Sequence, residues 1–180
     1  MDKSVYKYAA EAGLPIGIYL IGMSACVLFS LSMPALPMLV PLLALGFPVL
    51  LGYYMKRLAK ACPSYGKFSA LWLFGIYSVI FGTLICSLFS ALYLVVINPG
   101  FIASYVSTTL STIEASPVAA EYVDMTTVMR SALESRRLPS GMQFVTTIGW
   151  FSCFVGSMLS MLLAGILSAS KKRKTADMFR

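Results

Sequence analysis

Four cysteines, Cys26, Cys62, Cys86 and Cys153, are the strongest nucleophiles this 180-residue sequence carries. A thiol becomes a reactive thiolate only in an electropositive, accessible setting. Cys62 sits among Lys56, Arg57, Lys60 and Lys67 and is the one thiol with an electropositive setting, though no redox role is expected of it. The other three fall in apolar runs, where cysteine acts as a small hydrophobe, and no two form a Cys-x-x-Cys pair. There is no histidine, so the commonest metal ligand and the usual acid–base group near neutral pH are both missing. Serine and threonine hydroxyls are plentiful, but none has an evident base beside it. Neither a phosphate-cradling glycine loop nor a metal-ligand cluster is present. These residue types predict a protein that is no enzyme and takes no cofactor and no metal. The hydroxyls of Thr83, Ser87 and Ser90 could still line a path for an uncharged substrate.

The elements that hold these side chains are set by hydrophobicity. Apolar residues make up 58 % of the chain and charged residues 12 %, against about 45–50 % and about 25 % in soluble domains. From Ala12 to Met55 no residue is charged, which is too long for one crossing of about 20 residues. Pro34 and Pro37 fall at its middle, where proline ends a helix and extends the residue before it. The sequence therefore predicts a span at about 13–33, a turn at 33–37 and a span at about 37–55. Pro41 falls in the first turn of the second span, where a missing N–H costs little. Pro48 is interior and predicts a kink near Ala44–Pro48, read as a packing bend or a gating hinge. A third span covers 68–97, about 45 Å of helix, which must tilt or protrude from a hydrocarbon core about 30 Å thick. A fourth covers 142–169 and ends at Lys171-Lys172-Arg173-Lys174. The expected fold is all-α: one polytopic membrane domain over 1–180, with four transmembrane helices.

The net charge of +7 follows the membrane and gives no reason to expect nucleic acid. All but three of the 14 Lys and Arg flank the N-terminus, the 56–67 loop or the C-terminal tail. Arg130, Arg136 and Arg137 lie on the other side. Basic loops stay inside, so both termini are expected to be cytoplasmic, in a bacterial cytoplasmic (inner) membrane. The tail after Ala169 reads as a solvated membrane-surface anchor. Met23-Ser24-Ala25-Cys26 loosely matches a lipoprotein cleavage box, but apolar sequence continues past it, unlike a signal peptide. Lipidation is not expected.

Lipid gives helices no hydrophobic reason to associate, so close approach through small residues matters. Stripes at four-residue spacing occur in three spans: Gly22, Cys26 and Ser30; Ser78, Gly82, Cys86 and Ser90; and Ser152, Gly156, Ser160, Ala164 and Ser168. Four-residue spacing places each set on one helix face. Spans three and four are expected to pack through theirs, or to pair in a homodimer.

Residues 98–141 form the largest segment outside the spans. Ser116-Pro117 reads as a helix start and Leu138-Pro139-Ser140-Gly141 as a stop. Between them Val118, Tyr122, Met125, Met129 and Leu133 recur every three or four residues, giving one apolar face. Phe101, Tyr105, Thr109 and Ile113 form another stripe. One or two extracytoplasmic amphipathic helices are expected, capping the bundle or docking a partner helix or lipid headgroups.

Ser64-Tyr65-Gly66-Lys67-Phe68, then Gly75 and Tyr93 in a long span, then Asn98-Pro99-Gly100-Phe101, resembles a bacterial family of four-span integral membrane proteins catalogued only as a domain of unknown function. The order of helical pair, basic loop, long third span, outer segment, fourth span and basic tail resembles it too. The resemblance implies no catalytic residue. Within the four spans as drawn there is no Asp, Glu, Lys or Arg, the residues that ion and proton pathways use. The expected role is non-enzymatic: a small subunit or scaffold of a membrane complex, or a homo-oligomer. The expected partners are the lipid bilayer and a membrane protein or second copy. The alternative is a transporter or channel for an uncharged or lipidic substrate.

Overall fold

A computed structural model describes residues 5–116, 122–135 and 137–177. Among these the chain is all-helical: α1 (Val5–Leu28), α2 (Leu39–Ala61), α3 (Phe68–Leu92), α4 (Phe101–Glu114), α5 (Val123–Glu134) and α6 (Gly141–Asp177). Four helices are long and apolar enough to cross a bilayer: α1, α2 with the short 3-10 turn before it, α3 with the turn after it, and α6. The chain is a multi-pass integral membrane protein.

The first span ends at Leu28, short of the expected 33, so the turn is longer than expected; at the charged flanks the helices instead run past the apolar boundaries. Backbone hydrogen bonding continues through charged turns whose long side chains can reach the interface. So α1 starts at Val5, taking in Lys7 and Glu11, and α2 runs to Ala61, past Lys56, Arg57 and Lys60. At the C-terminus α6 continues to Asp177, so the basic tail extends a helix. Its 37 residues span about 55 Å, well beyond the hydrocarbon core. The early start of α1 also makes Pro15 an interior residue.

The turn between the first two spans covers 29–38, ending in a 3-10 turn over Leu36–Met38 that contains Pro37. Pro41 lies in the first turn of α2, and Pro48 inside it, where the helix continues unbroken. A proline at 48 leaves the Ala44 carbonyl without its helical donor. One residue earlier, the Tyr19 hydroxyl of α1 donates to the Leu43 carbonyl at 2.5 Å. The upper part of α2 is thus tied to α1 beside its weakened turn. α3 ends in a π-helical turn over Tyr93–Ile97, closed by the Asn98 amide on the Tyr93 carbonyl at 2.8 Å.

The bundle is built around α3, which packs on α1 on one side and α6 on the other. α1 runs parallel to it: Gly13 faces Ser78 and Phe81, Gly17 faces Ile85, and Ser24 shares a 2.9 Å hydrogen bond with Ser90. α6 runs antiparallel: Ser160 meets Gly75, Gly156 meets Val79, and Gly141 meets Leu94. The main core is Ala9, Ala12, Ile16, Leu51, Met55, Leu58, Leu71, Phe74, Val79 and Ala164. It lies toward the Lys/Arg-rich end of the bundle. A second, smaller core of Leu28, Leu94, Phe101 and Val145 lies at the other end, where it seats the start of α4.

The segment between the third and fourth spans holds two helices, α4 and α5. The Ser116 amide closes the last turn of α4 on the Ile113 carbonyl at 3.0 Å, and α5 begins at Val123 with Tyr122 as its cap residue. The expected start at Ser116-Pro117 is thus corrected at Ser116, which ends one helix. Pro117 and Val118 lie outside the described residues. Residues 137–140 are non-helical, and Ser140 then starts α6. Its hydroxyl accepts from the Gln143 amide at 3.2 Å, while the Gln143 carboxamide accepts from the Ser140 amide at 3.0 Å. That is a reciprocal capping box, satisfying two backbone donors that a helix start leaves orphaned.

Candidate functional site

A cavity of about 170 Å³ lies among α1, α3 and α6, in the half of the bundle that carries α4 and α5. Helical spacing on α3 aims one face into it, with Thr83, Cys86, Ser87 and Ser90 on the wall. α1 adds Ser24 and α6 adds Ser152. The remaining lining is apolar, from Leu20 and Val27 of α1, Val40 of α2 and Phe144 and Ile148 of α6 among others. No charged side chain reaches the wall. The cavity exists because α1 and α6 both approach α3 closely lower down, through Gly17 and Gly156, while α2 contributes only Val40 here.

Its hydroxyls differ in satisfaction. Ser24 and Ser90 bond one another. Thr83 is only 6 % exposed, and its Oγ1 has no hydrogen-bond partner. Ser78, one turn below and fully buried, is likewise unpartnered at Oγ, as is Ser30. An unsatisfied buried hydroxyl costs roughly 1–3 kcal/mol. By contrast the buried Ser160 hydroxyl donates to the Gly156 carbonyl at 2.7 Å within its own helix. The wall can therefore offer a hydrogen bond to an uncharged group and has no charge with which to hold an ion.

The small-residue stripes divide between contact and cavity. On α6, Gly156, Ser160 and Ala164 are buried in helix contacts, while Ser152 is half-buried on the cavity. On α3, Ser78 and Gly82 are buried against neighbours; Cys86 and Ser90 face the cavity. The first-span stripe does not form the α1 contact. Gly22 is exposed, with no atom within 4 Å of an added Cβ. Cys26 is half-buried, and Ser30 is buried in the turn beyond the helix. The contact follows Ala9, Gly13 and Gly17 instead, because α3 lies on that face. Gly13-Leu14-Pro15-Ile16-Gly17 is a Gly-x-x-x-Gly motif, the sequence signal that marks this kind of approach.

Outside the bundle, α5 has no buried residue and packs on α4. Arg130 and Glu114 form an ion pair between the two helices, and Glu114 holds the Arg130 guanidinium above its ordinary pKa. Along the expected apolar face, Tyr122 and Met125 are exposed, whereas Met129 and Leu133 are half-buried. Val123 and Val128 widen the exposed apolar surface. The second stripe is seated: Phe101 is buried, and Tyr105, Thr109 and Ile113 line a cleft of about 220 Å³ with Ser30, Pro34 and Pro37 of the first turn.

At the basic end, Tyr8, Glu11 and Arg57 line a cleft of about 320 Å³. Nearby, the half-buried Cys62 thiol lies 3.7 Å from the Tyr8 hydroxyl as its donor. No group of three metal-ligating side chains occurs among the described residues.

No curated protein matches the chain, and no solved structure does. Residues 12–169 match the family model DUF4199, described as a protein of unknown function. That stretch takes in the greater part of α1, all of α2 to α5 and α6 as far as Ala169; the chain belongs to this family.

Proposed function

We propose that this chain is a non-enzymatic component of a membrane assembly, a small subunit or scaffold in a bacterial cytoplasmic membrane, presenting the α4–α5 hairpin on the outer side. The observation that carries the reading is α5. Twelve residues of helix contribute nothing to a core, while Tyr122, Val123, Met125 and Val128 hold apolar side chains outside it. An amphipathic helix finds use for such a face only against another surface. Spans free of charge over Ala12–Met55 and Phe68–Ile97 suit a protein that positions others, since ion and proton pathways need such residues.

The test is a stoichiometric complex, measured by native mass spectrometry of the tagged protein extracted in mild detergent. Val128 is 66 % exposed, so Val128→Glu leaves the four spans intact. The complex, with another protein or with a second copy, is expected in the wild type and lost in the variant. A lone monomer in both, or an identical complex in both, would remove α5 from the role.

Orientation has its own expected result. A membrane-impermeant maleimide applied to intact cells should leave Cys62 unlabelled, and label a cysteine placed at Ser111, which is exposed on α4. The reverse pattern would turn the protein over.

A second reading is favoured by the cavity: transport of an uncharged or lipidic substrate, with Thr83, Ser87 and Ser90 on the path and Pro48 as hinge. Flux into liposomes that Pro48→Ala abolishes would support it.

A further inference from the structure

We propose that the cleft at the Lys/Arg-rich end of the α1–α2 seam binds the headgroup of a zwitterionic aminophospholipid, its phosphate on Arg57 and its ammonium on Glu11. The site stands apart from the subunit reading and from orientation, since either leaflet can supply such a lipid. Three observations carry it. The first is a pair of opposite charges on one cleft, Glu11 from α1 and Arg57 from α2. Arg57 makes no ion pair with Glu11 or with any other described residue. Its guanidinium fork is thus open to a phosphate, which it matches bidentately. An ionised carboxylate has about four acceptor sites, so an ammonium can share Glu11 with another donor. The second observation is depth. The charge-free run Ala12–Met55 has Glu11 and Lys56 as its flanking charges, and α1 and α2 bring both ends of that run to this cleft. It therefore lies where the hydrocarbon core gives way to headgroups, the level at which a lipid presents its phosphate. Tyr8 and Tyr54 line it as well, amphipathic rings of the kind that settle at that level. The third is shape. The cleft holds about 320 Å³, at the lower end of the roughly 300–1,000 Å³ of small-molecule pockets. Leu58 and Phe74, both buried, close its floor. The same helix faces continue inward to Pro15, one turn beyond Glu11, and Leu50, one turn before Tyr54. Both are uncharged and half-buried, a seam along which an acyl chain can lie. A soluble phosphate ester with an amine shares the headgroup chemistry but leaves that seam unused, so the occupant is the lipid.

Native mass spectrometry tests this on the full chain, delipidated in mild detergent and titrated with dioleoylphosphatidylethanolamine or dioleoylphosphatidylglycerol. One saturable phosphatidylethanolamine adduct is expected. Its preference over phosphatidylglycerol should be about fivefold, because a hydrogen bond from an ammonium to a carboxylate is roughly twice as strong as one from a neutral glycerol hydroxyl. A surface that is merely basic ranks the two the other way, taking the anionic lipid first. Arg57→Gln should weaken both lipids about tenfold, the loss of a hydrogen bond to a charged group. Glu11→Gln should erase the preference without weakening phosphatidylglycerol. Lys60→Gln removes the same charge from the same helix outside the cleft, and should leave phosphatidylethanolamine binding unchanged. Glu11, Arg57 and Lys60 are all exposed, so the three variants should melt with the wild type in lipid-free detergent. Free phosphoethanolamine in large molar excess should not displace the lipid. A preference for phosphatidylglycerol, or equal losses in Arg57→Gln and Lys60→Gln, would overturn the site and leave a diffuse basic surface. Displacement by free phosphoethanolamine would overturn the lipid as its occupant.

Discussion

Gly75→Leu should unfold this protein about 6–12 °C earlier than wild type in a thermal scan in detergent. The reasoning starts from a three-helix junction. A Cβ added at Gly75 would lie 2.6 Å from both the Cβ and the Oγ of Ser160 on α6, and would overlap the Met55 methyl of α2. The methionine tip can rotate away, but the Ser160 Cβ is fixed to its backbone and Ser160 has no exposed surface. Overpacking a tight contact costs typically 1–3 kcal/mol and occasionally more. A leucine here adds three more carbons beyond the Cβ, so about 3 kcal/mol is expected, and each kcal/mol moves Tm by about 2–4 °C at this chain length. Gly22→Leu supplies the contrast. Sequence spacing places Gly22 in a helix contact, whereas nothing lies within 4 Å of its added Cβ. It should melt within about 2 °C of wild type, equivalent to about 0.5 kcal/mol for a surface change. Equal losses at the two positions would mean that α3 and α6 do not meet at Gly75.

Legibility in the sequence tracked how local each feature is. The four spans follow from composition alone, since Ala12–Met55 and Phe68–Ile97 carry no charge and Pro34 and Pro37 divide the first run. Their ends do not, because Lys7, Glu11, Lys56 and Arg57 extend a helix without interrupting its hydrogen bonds. Spacing identified faces but could not choose between them. Gly22-Cys26-Ser30 and Gly13-x-x-x-Gly17 are equally regular, and only the position of α3 decides that the second is the contact. Ser140-x-x-Gln143 was a readable helix start hidden within a segment that reads as a stop. The cavity is half legible. Thr83, Ser87 and Ser90 share a face by spacing, but the arrival of Ser24 and Ser152 from two other helices is tertiary. Hydroxyl satisfaction is less legible still, because Ser160 is bonded within its own helix while Thr83, equally helical, is not.

Gly82→Ala should strongly destabilise the α1–α3 contact, and Ile16→Ala should partly undo the damage. The added Cβ would stand 2.6 Å from the Ile16 Cγ2, 3.3 Å from the Ile16 Cβ and 3.2 Å from the Gly17 amide nitrogen. Ile16 is fully buried and β-branched, so its χ1 is held in one well on a helix and the methyl cannot swing clear. The backbone of α1 must then move from α3, stretching the Ser24–Ser90 hydrogen bond about two turns away. Overpacking predicts a loss of about 2–3 kcal/mol for Gly82→Ala. Ile16→Ala alone leaves a cavity and should cost about 2–4 kcal/mol. Combined, the Cγ2 that clashes is gone, and the Gly17 nitrogen and the Cβ at position 16 stand at tight but tolerable distances. The double variant should therefore be more stable than the sum of the two losses by at least 1 kcal/mol, a coupling of the size that touching residues show. Reversible unfolding in mixed micelles, run on all four proteins, measures it. Additive losses would mean that Gly82 and Ile16 are not in contact, and α1 would have to pack on another face of α3. A coupling of the expected sign places Ile16 against Gly82, the contact on which the parallel α1–α3 pair turns, between Gly13 beside Ser78 and Ser24 beside Ser90.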